Sequence, residues 1–182
     1  VCALSPGVLG ITGIETSEII QGVVNKIKPD IVLVVDSLAS RKLSRVSTTI
    51  QIGNTGISPG SGVGNKRMGL TQSILGVPVI AIGVPTVVDA ATMANDTIDL
   101  VIDDLIRQTE KGKEFYNMLK SLNKDEKFQL IQEVLSPYAE NLMVTPKDVD
   151  SIIDNISKII ANGINIALHP SIDIKDVNRY IN

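Results

Sequence analysis

The run Ile31-Val32-Leu33-Val34-Val35 has no polar member, and it gives way at Asp36 to the polar stretch Asp36-Ser37-Leu38-Ala39-Ser40-Arg41. An apolar run without alternation reads as a strand covered on both faces, as in a parallel sheet. The carboxylate of Asp36 is then expected where strand becomes loop. That margin is where open α/β sheets keep their chemistry.

The flanking segments supply the other half of an α/β pattern. Thr16 is placed to N-cap a helix in which Ile19, Ile20, Val23, Val24 and Ile27 recur at helical spacing, and Pro29 ends it. Ser47 to Ile52 alternates as a strand with Thr48, Ile50 and Ile52 on one face, and Gly53-Asn54-Thr55-Gly56 signals a turn after it. Val79-Ile80-Ala81-Ile82 makes a further buried strand, and Val1-Cys2-Ala3-Leu4 looks like a strand already under way. Strand and helix alternating in this way indicate a layered α/β domain.

From about Ala90 the character changes. Ile98, Val101, Ile102, Leu105 and Ile106 fall on one helical stripe, and no further strand is predicted. One helix is expected over Lys124 to Leu135, followed by a connector from Ser136 to Val144. Another is expected to start at the Thr145-Pro146 pair and to carry Val149, Ile152, Ile153, Ile156, Ile159 and Ile160. Lys111-Gly112-Lys113 is a candidate surface excursion. The 182 residues, 43% of them apolar, suffice for one domain. We read a sheet-containing part over about 1–90 and a mostly helical part over about 91–182.

Composition excludes several functional classes. The apolar stretch from Ile74 to Val88 is broken by Gly76, Pro78, Gly83 and Pro85, so no run approaches the roughly 20 residues of a spanning helix, and no membrane partner is expected. A net charge of −3, with both signs interspersed, gives no footprint for direct nucleic-acid binding. The scattered Tyr116, Tyr138, Tyr180, Phe115 and Phe128 form no base-stacking platform. A lone cysteine, Cys2, allows no internal disulfide, and a lone histidine, His169, builds no zinc site by itself; both fit a reducing cytoplasm. With Val1 in place of an initiator methionine and no basic signal-peptide start, the chain reads as part of a longer polypeptide.

Two acids follow buried strands: Asp36 after Val35, and Asp89 after Val87-Val88. Such a pair serves as general base and general acid when its environments push the two pKa values apart. Asp36 is the candidate catalytic residue, because it follows its strand directly; a loop carboxylate capping neighbouring amides is the alternative. Asp89 follows Pro85-Thr86 and reads as a helix-start acid favoured by the dipole. Arg41 and Arg45 either orient a carboxylate or face solvent. Gly56 to Arg67 is glycine-rich and ends in Lys66-Arg67, which invites an anion- or nucleotide-binding reading without catalysis. Its spacing opposes that reading, since Asn65 stands where phosphate-binding loops need glycine. A loop bordering an extended peptide competes with it.

Five strings in order resemble one family: Pro6-Gly7-Val8-Leu9-Gly10-Ile11-Thr12-Gly13-Ile14-Glu15-Thr16-Ser17, Val35 to Arg41, Pro59 to Arg67, Pro78 to Ala90, and Asn141-Leu142-Met143-Val144-Thr145-Pro146-Lys147. Over nearly its whole length the chain is similar to the germination protease family, the spore endopeptidases of spore-forming Firmicutes. The resemblance implies an aspartic-type endopeptidase, made as a zymogen, that degrades small acid-soluble spore proteins in the spore core when germination begins. It also implies a homotetramer and a three-layer α/β/α sandwich like that of hydrogenase maturation proteases. One family aspartate falls on Asp36, at the strand matched by Ile31 to Val35. The other lies upstream, in a loop with Gly-Asn and Pro-Asp, which these residues do not contain; the 182 residues alone are therefore expected to be inactive. Maturation proteases recognise nickel with two acids and a histidine, and Ser58 stands where some germination proteases carry histidine. No metal and no cofactor are expected here.

Overall fold

A computed structural model describes residues 1–60, 68–108, 123–139 and 141–176. The chain forms two compact units, Val1–Val144 and Thr145–Asn182. The first is mixed α/β and contains a four-stranded sheet.

In chain order the first unit holds α1 (Leu9–Thr12), α2 (Thr16–Ile27), β1 (Val32–Ser40), β2 (Gln51–Gly53), α3 (Gln72–Leu75), β3 (Val79–Asp89), α4 (Ala90–Gln108), α5 (Lys124–Ala139) and β4 (Met143–Val144). The sheet order is β1-β3-β2, with β1 parallel and β2 antiparallel to β3. β4 also pairs antiparallel with β3, opposite Val88 and Asp89. Because β1 already occupies one side of Val88, β4 lies beyond β2 along the other side. β3 is thus the central strand, and most of its residues are buried.

The core gathers under this strand. Leu70, Leu75 and Val79 are fully enclosed, and Ile20 of α2 packs against them together with Val32 and Val34 of β1. Burial of such side chains contributes roughly 1.5–3 kcal/mol each. Helix α2 forms where the apolar spacing predicts it, but Glu15 occupies the N-cap position and Thr16 is the first helical residue. The Thr16 hydroxyl donates instead to the Gly7 carbonyl, at 3.4 Å. Lys28, in the left-handed region at φ 53, closes the helix before Pro29.

Several boundaries differ from the sequence-based expectation. β1 does not stop at Asp36 but runs four residues further, to Ser40, whose hydroxyl donates to the Lys42 carbonyl at 2.6 Å and turns the chain. Nor is it covered on both faces, since Val35 is 51% exposed. β3 runs from Val79 through Asp89, well beyond the Val79 to Ile82 read as a strand and through Gly83 and Pro85. At Gly83 the Leu38 side chain crosses the strand, and a Cβ there would displace it. Pro85 is tolerated because its peptide faces away from β1, and its carbonyl accepts the Ser47 amide at 2.6 Å.

The strand predicted over Ser47 to Ile52 shrinks to Gln51–Gly53. Ser47 has φ 56, and the hydroxyls of Thr48 and Thr49 bond back to the Ser44 and Arg45 carbonyls, which suits a turn better than a ladder. Residues 1–8 form no strand. Conversely Met143–Val144 is a strand that two residues are too few to announce. Helix α5 continues past Leu135 through Pro137, and α4 and α5 are tied by an ion pair between Asp99 and the largely buried Lys127. Lys111 to Lys113 lies outside the described residues.

The second unit carries the apolar helix α6 (Val149–Leu168) and a short 3-10 turn, Ile174–Asp176. The helix begins three residues later than the Thr145-Pro146 signal suggests. Asp148 is its N-cap, and the Val149 amide donates to the Pro146 carbonyl at 3.2 Å. Exposed His169 is its C-cap.

Candidate functional site

A cleft of about 670 Å³ runs along β1, and Asp36 is on its wall. The strand presents every residue from Val32 to Ala39 to it. Leu4 to Val8 form one flank, Ser58-Pro59-Gly60 another, and Thr16 and Ile20 reach it from α2.

Asp36 pairs with Gly83, whose missing side chain leaves room for the Leu38 side chain. The Asp36 side chain folds along its own strand, its Oδ1 accepting the Ser37 amide at 2.9 Å. Partial burial lifts this carboxyl above its ordinary pKa, and the Ser37 hydrogen bond offsets that only in part. Desolvation disfavours the charged form, so Asp36 keeps its proton to higher pH than an exposed aspartate.

The base of the glycine-rich segment is well defined. Ile57 and Leu70 exchange two backbone hydrogen bonds, of 3.1 and 2.6 Å, which clamp the loop between them. Gly56 makes the clamp possible: at φ 84 it approaches the Leu70 carbonyl and Thr71 so closely that a Cβ would clash. From this base Ser58, Pro59 and Gly60 pass along the cleft. Lys66 and Arg67, on which the anion-binding reading depends, lie outside the described residues.

Asp89 has a different occupation. It ends β3, and its Oδ1 accepts the amides of Ala91 and Thr92 at 2.9 and 3.2 Å, capping α4. It is absent from the described cleft wall. Arg41 and Arg45 are exposed and do not line the cleft either. Between them, the Leu43 amide donates to Asp96 Oδ2 at 2.7 Å, so α4 anchors the turn that follows β1.

The flank formed by Leu4 to Val8 is not foreseeable from local sequence. Pro6-Gly7 marks a bend, and Gly7 indeed has φ 76, but nothing in the segment states what it bends around. Among the described residues, no group of three or more His, Cys, Asp or Glu is arranged to hold a metal ion. No helix among them is long and apolar enough to cross a membrane.

These features define an α/β domain whose cleft follows β1 and offers, among its described lining residues, one partly desolvated carboxylate. The germination protease sequence profile matches residues 1–115 and 103–181. A germination protease of Clostridium tetani is 69% identical over 182 residues, covering all of this chain and 56% of that protein. One from Clostridium acetobutylicum is 62% identical with the same coverage. One from Bacillus subtilis is 49% identical over 211 aligned residues, covering 99% of this chain and 57% of its own. The chain belongs to the germination protease family. It spans a little over half the length of these relatives.

Proposed function

We propose that this chain is the part of a germination protease that supplies one of two catalytic aspartates, Asp36. The complete enzyme is then an aspartic-type endopeptidase that degrades small acid-soluble spore proteins in the spore core as germination begins. The observation that carries this reading is a partly desolvated carboxylate on β1, lining an open cleft in a member of a protease family.

Peptide hydrolysis needs a base to take a proton from the attacking water and an acid to give one to the leaving nitrogen as the C–N bond breaks. Two carboxyl groups in unlike environments divide that work. Asp36, which holds its proton to higher pH, suits the donor, and a second acid from outside these 182 residues suits the base. A second carboxylate nearby would lift the Asp36 pKa further, because two like charges resist ionising together. By themselves the 182 residues would therefore not complete the reaction.

Family likeness extends the reading to a zymogen matured by propeptide removal, a homotetramer, and the three-layer α/β/α sandwich of the hydrogenase maturation proteases. Ser58, on the cleft wall where some family members carry histidine, favours acid-activated water without a metal. The decisive experiment is Asp36→Asn in the full-length enzyme, assayed on a small acid-soluble spore protein. We expect cleavage to fall by about 100-fold or more. Turnover at the wild-type rate would refute the assignment.

A further inference from the structure

We infer that the β-bulge in β3 sets Thr86 into the cleft wall as a substrate-positioning residue, whose hydroxyl holds a peptide group of the bound polypeptide about three residues from the one that is cleaved. The inference rests on the peptidase reading above and adds a binding residue to its acid chemistry.

β1 and β3 run in parallel register from Val32 opposite Val79 to Leu38 opposite Pro85. The next pair is Ala39 with Val87, so Thr86 is the extra residue, and two residues of β3 stand opposite one of β1. Such a bulge bends its strand and re-aims a side chain, and bulges gather beside active sites. The cleft shows the consequence. Although the two strands pair from Val32 to Ser40, Thr86 and Val87 are the only residues of β3 among the described cleft wall. The bulge is thus the place where the inner strand reaches the cleft.

The bulge is fixed on both sides. Before it, the Pro85 carbonyl accepts the Ser47 amide at 2.6 Å, and the proline ring restricts the backbone. After it, Asp89 ends the strand and accepts the Ala91 and Thr92 amides at 2.9 and 3.2 Å. Thr86 is 8% exposed, so it meets the cleft from a packed strand, and strands hold a binding group more accurately than loops do. A threonine hydroxyl has one hydrogen to give and two lone pairs, so the partner that Thr86 has within the protein leaves capacity for substrate.

Position sets the role. Asp36 and Thr86 both lie toward the carboxyl ends of a parallel strand pair, where α/β sheets take their ligands. Asp36 is opposite Gly83, and Thr86 stands three residues further on, about 10 Å along the strand. That distance takes Thr86 out of the acid pair, and an extended polypeptide spans it in about three residues. A neutral hydroxyl between Ala39 and Val87 suits a peptide N–H or C=O better than a charged side chain.

The test compares Thr86→Val with Thr86→Ser in the full-length enzyme acting on a small acid-soluble spore protein. Valine keeps the branched shape and loses the hydroxyl, whereas serine keeps the hydroxyl. We expect KM for the valine variant to rise about tenfold with kcat within about threefold of wild type, and serine to bring KM back to within about threefold. A wild-type KM in Thr86→Val overturns the proposal, and so does an equal rise in both variants, the sign that the hydroxyl is not the group in contact. A second measurement covers the case in which the valine variant fails to fold: methyl NMR spectra of full-length Asp36→Asn, with and without the spore protein. Shifts at the Thr86 and Val87 methyls that exceed those at the buried Val88 support the proposal. An unmoved Thr86 methyl overturns it. Full turnover by Asp36→Asn would remove the catalytic assignment and leave the Thr86 comparison readable. Normal KM in Thr86→Val beside an inactive Asp36→Asn would remove Thr86 alone.

Discussion

Asp36 couples the chemistry of the cleft to the stability of the fold. Its folded carboxyl holds a proton more tightly than in the unfolded chain, since desolvation outweighs the Ser37 hydrogen bond. Between the unfolded pKa and the raised folded one, the native state binds more protons. The contribution of Asp36 to stability is therefore greatest at low pH and is lost as pH rises through the folded pKa. Asparagine keeps an oxygen for the Ser37 amide but cannot ionise. Asp36→Asn is expected to melt at a higher temperature than wild type at pH 7, with the two melting curves converging below about pH 4. A difference that persists on acidification would mean that something other than ionisation sets it. Gly56 gives a second prediction at this scale, because both its φ of 84 and the Leu70 carbonyl exclude a side chain. Gly56→Ala is expected to destabilise by about 2 kcal/mol or more, read by denaturant unfolding.

Each element is held by contacts that local pattern only partly announces. The stripes of α2 and α6 are legible from spacing alone, because helical neighbours lie three and four residues apart in sequence. β3 is not, because Gly83 and Pro85 look like punctuation until Leu38 crosses one and Ser47 bonds the other. Asp89 belongs to this scale as well. Its two hydrogen bonds to the first turn of α4 make it a cap, so Asp89→Ala is expected to cost about 1 kcal/mol of stability. Asp89→Asn should cost less, and both variants should retain cleavage activity at temperatures where they are folded. A loss of turnover equal to that of Asp36→Asn would show that Asp89 takes part in the reaction.

For the molecule as a whole, the charge balance and the cleft agree. The sequence carries net charge −3, and the described cleft wall adds a carboxylate with no opposing cation. Millimolar ATP or pyrophosphate is therefore expected to leave the melting temperature unchanged. A concentration-dependent rise would signal binding to the native state and revive the anion-binding reading of the glycine-rich segment.

The residues by themselves determined the class of fold and the acid to watch. An unbroken apolar run, helical stripes and glycine or proline stops act over a few neighbours, and such signals survive without any knowledge of the third dimension. Only the tertiary structure decided that β1 passes Asp36 and continues to Ser40, that β3 lies between β1 and β2, and that Leu4 to Val8 face the same cleft. Those outcomes depend on which segments, some 30 to 50 positions apart, come to lie side by side. Periodicity records what a residue's neighbours in sequence require, and an edge or a cleft is made by residues that are neighbours only after folding.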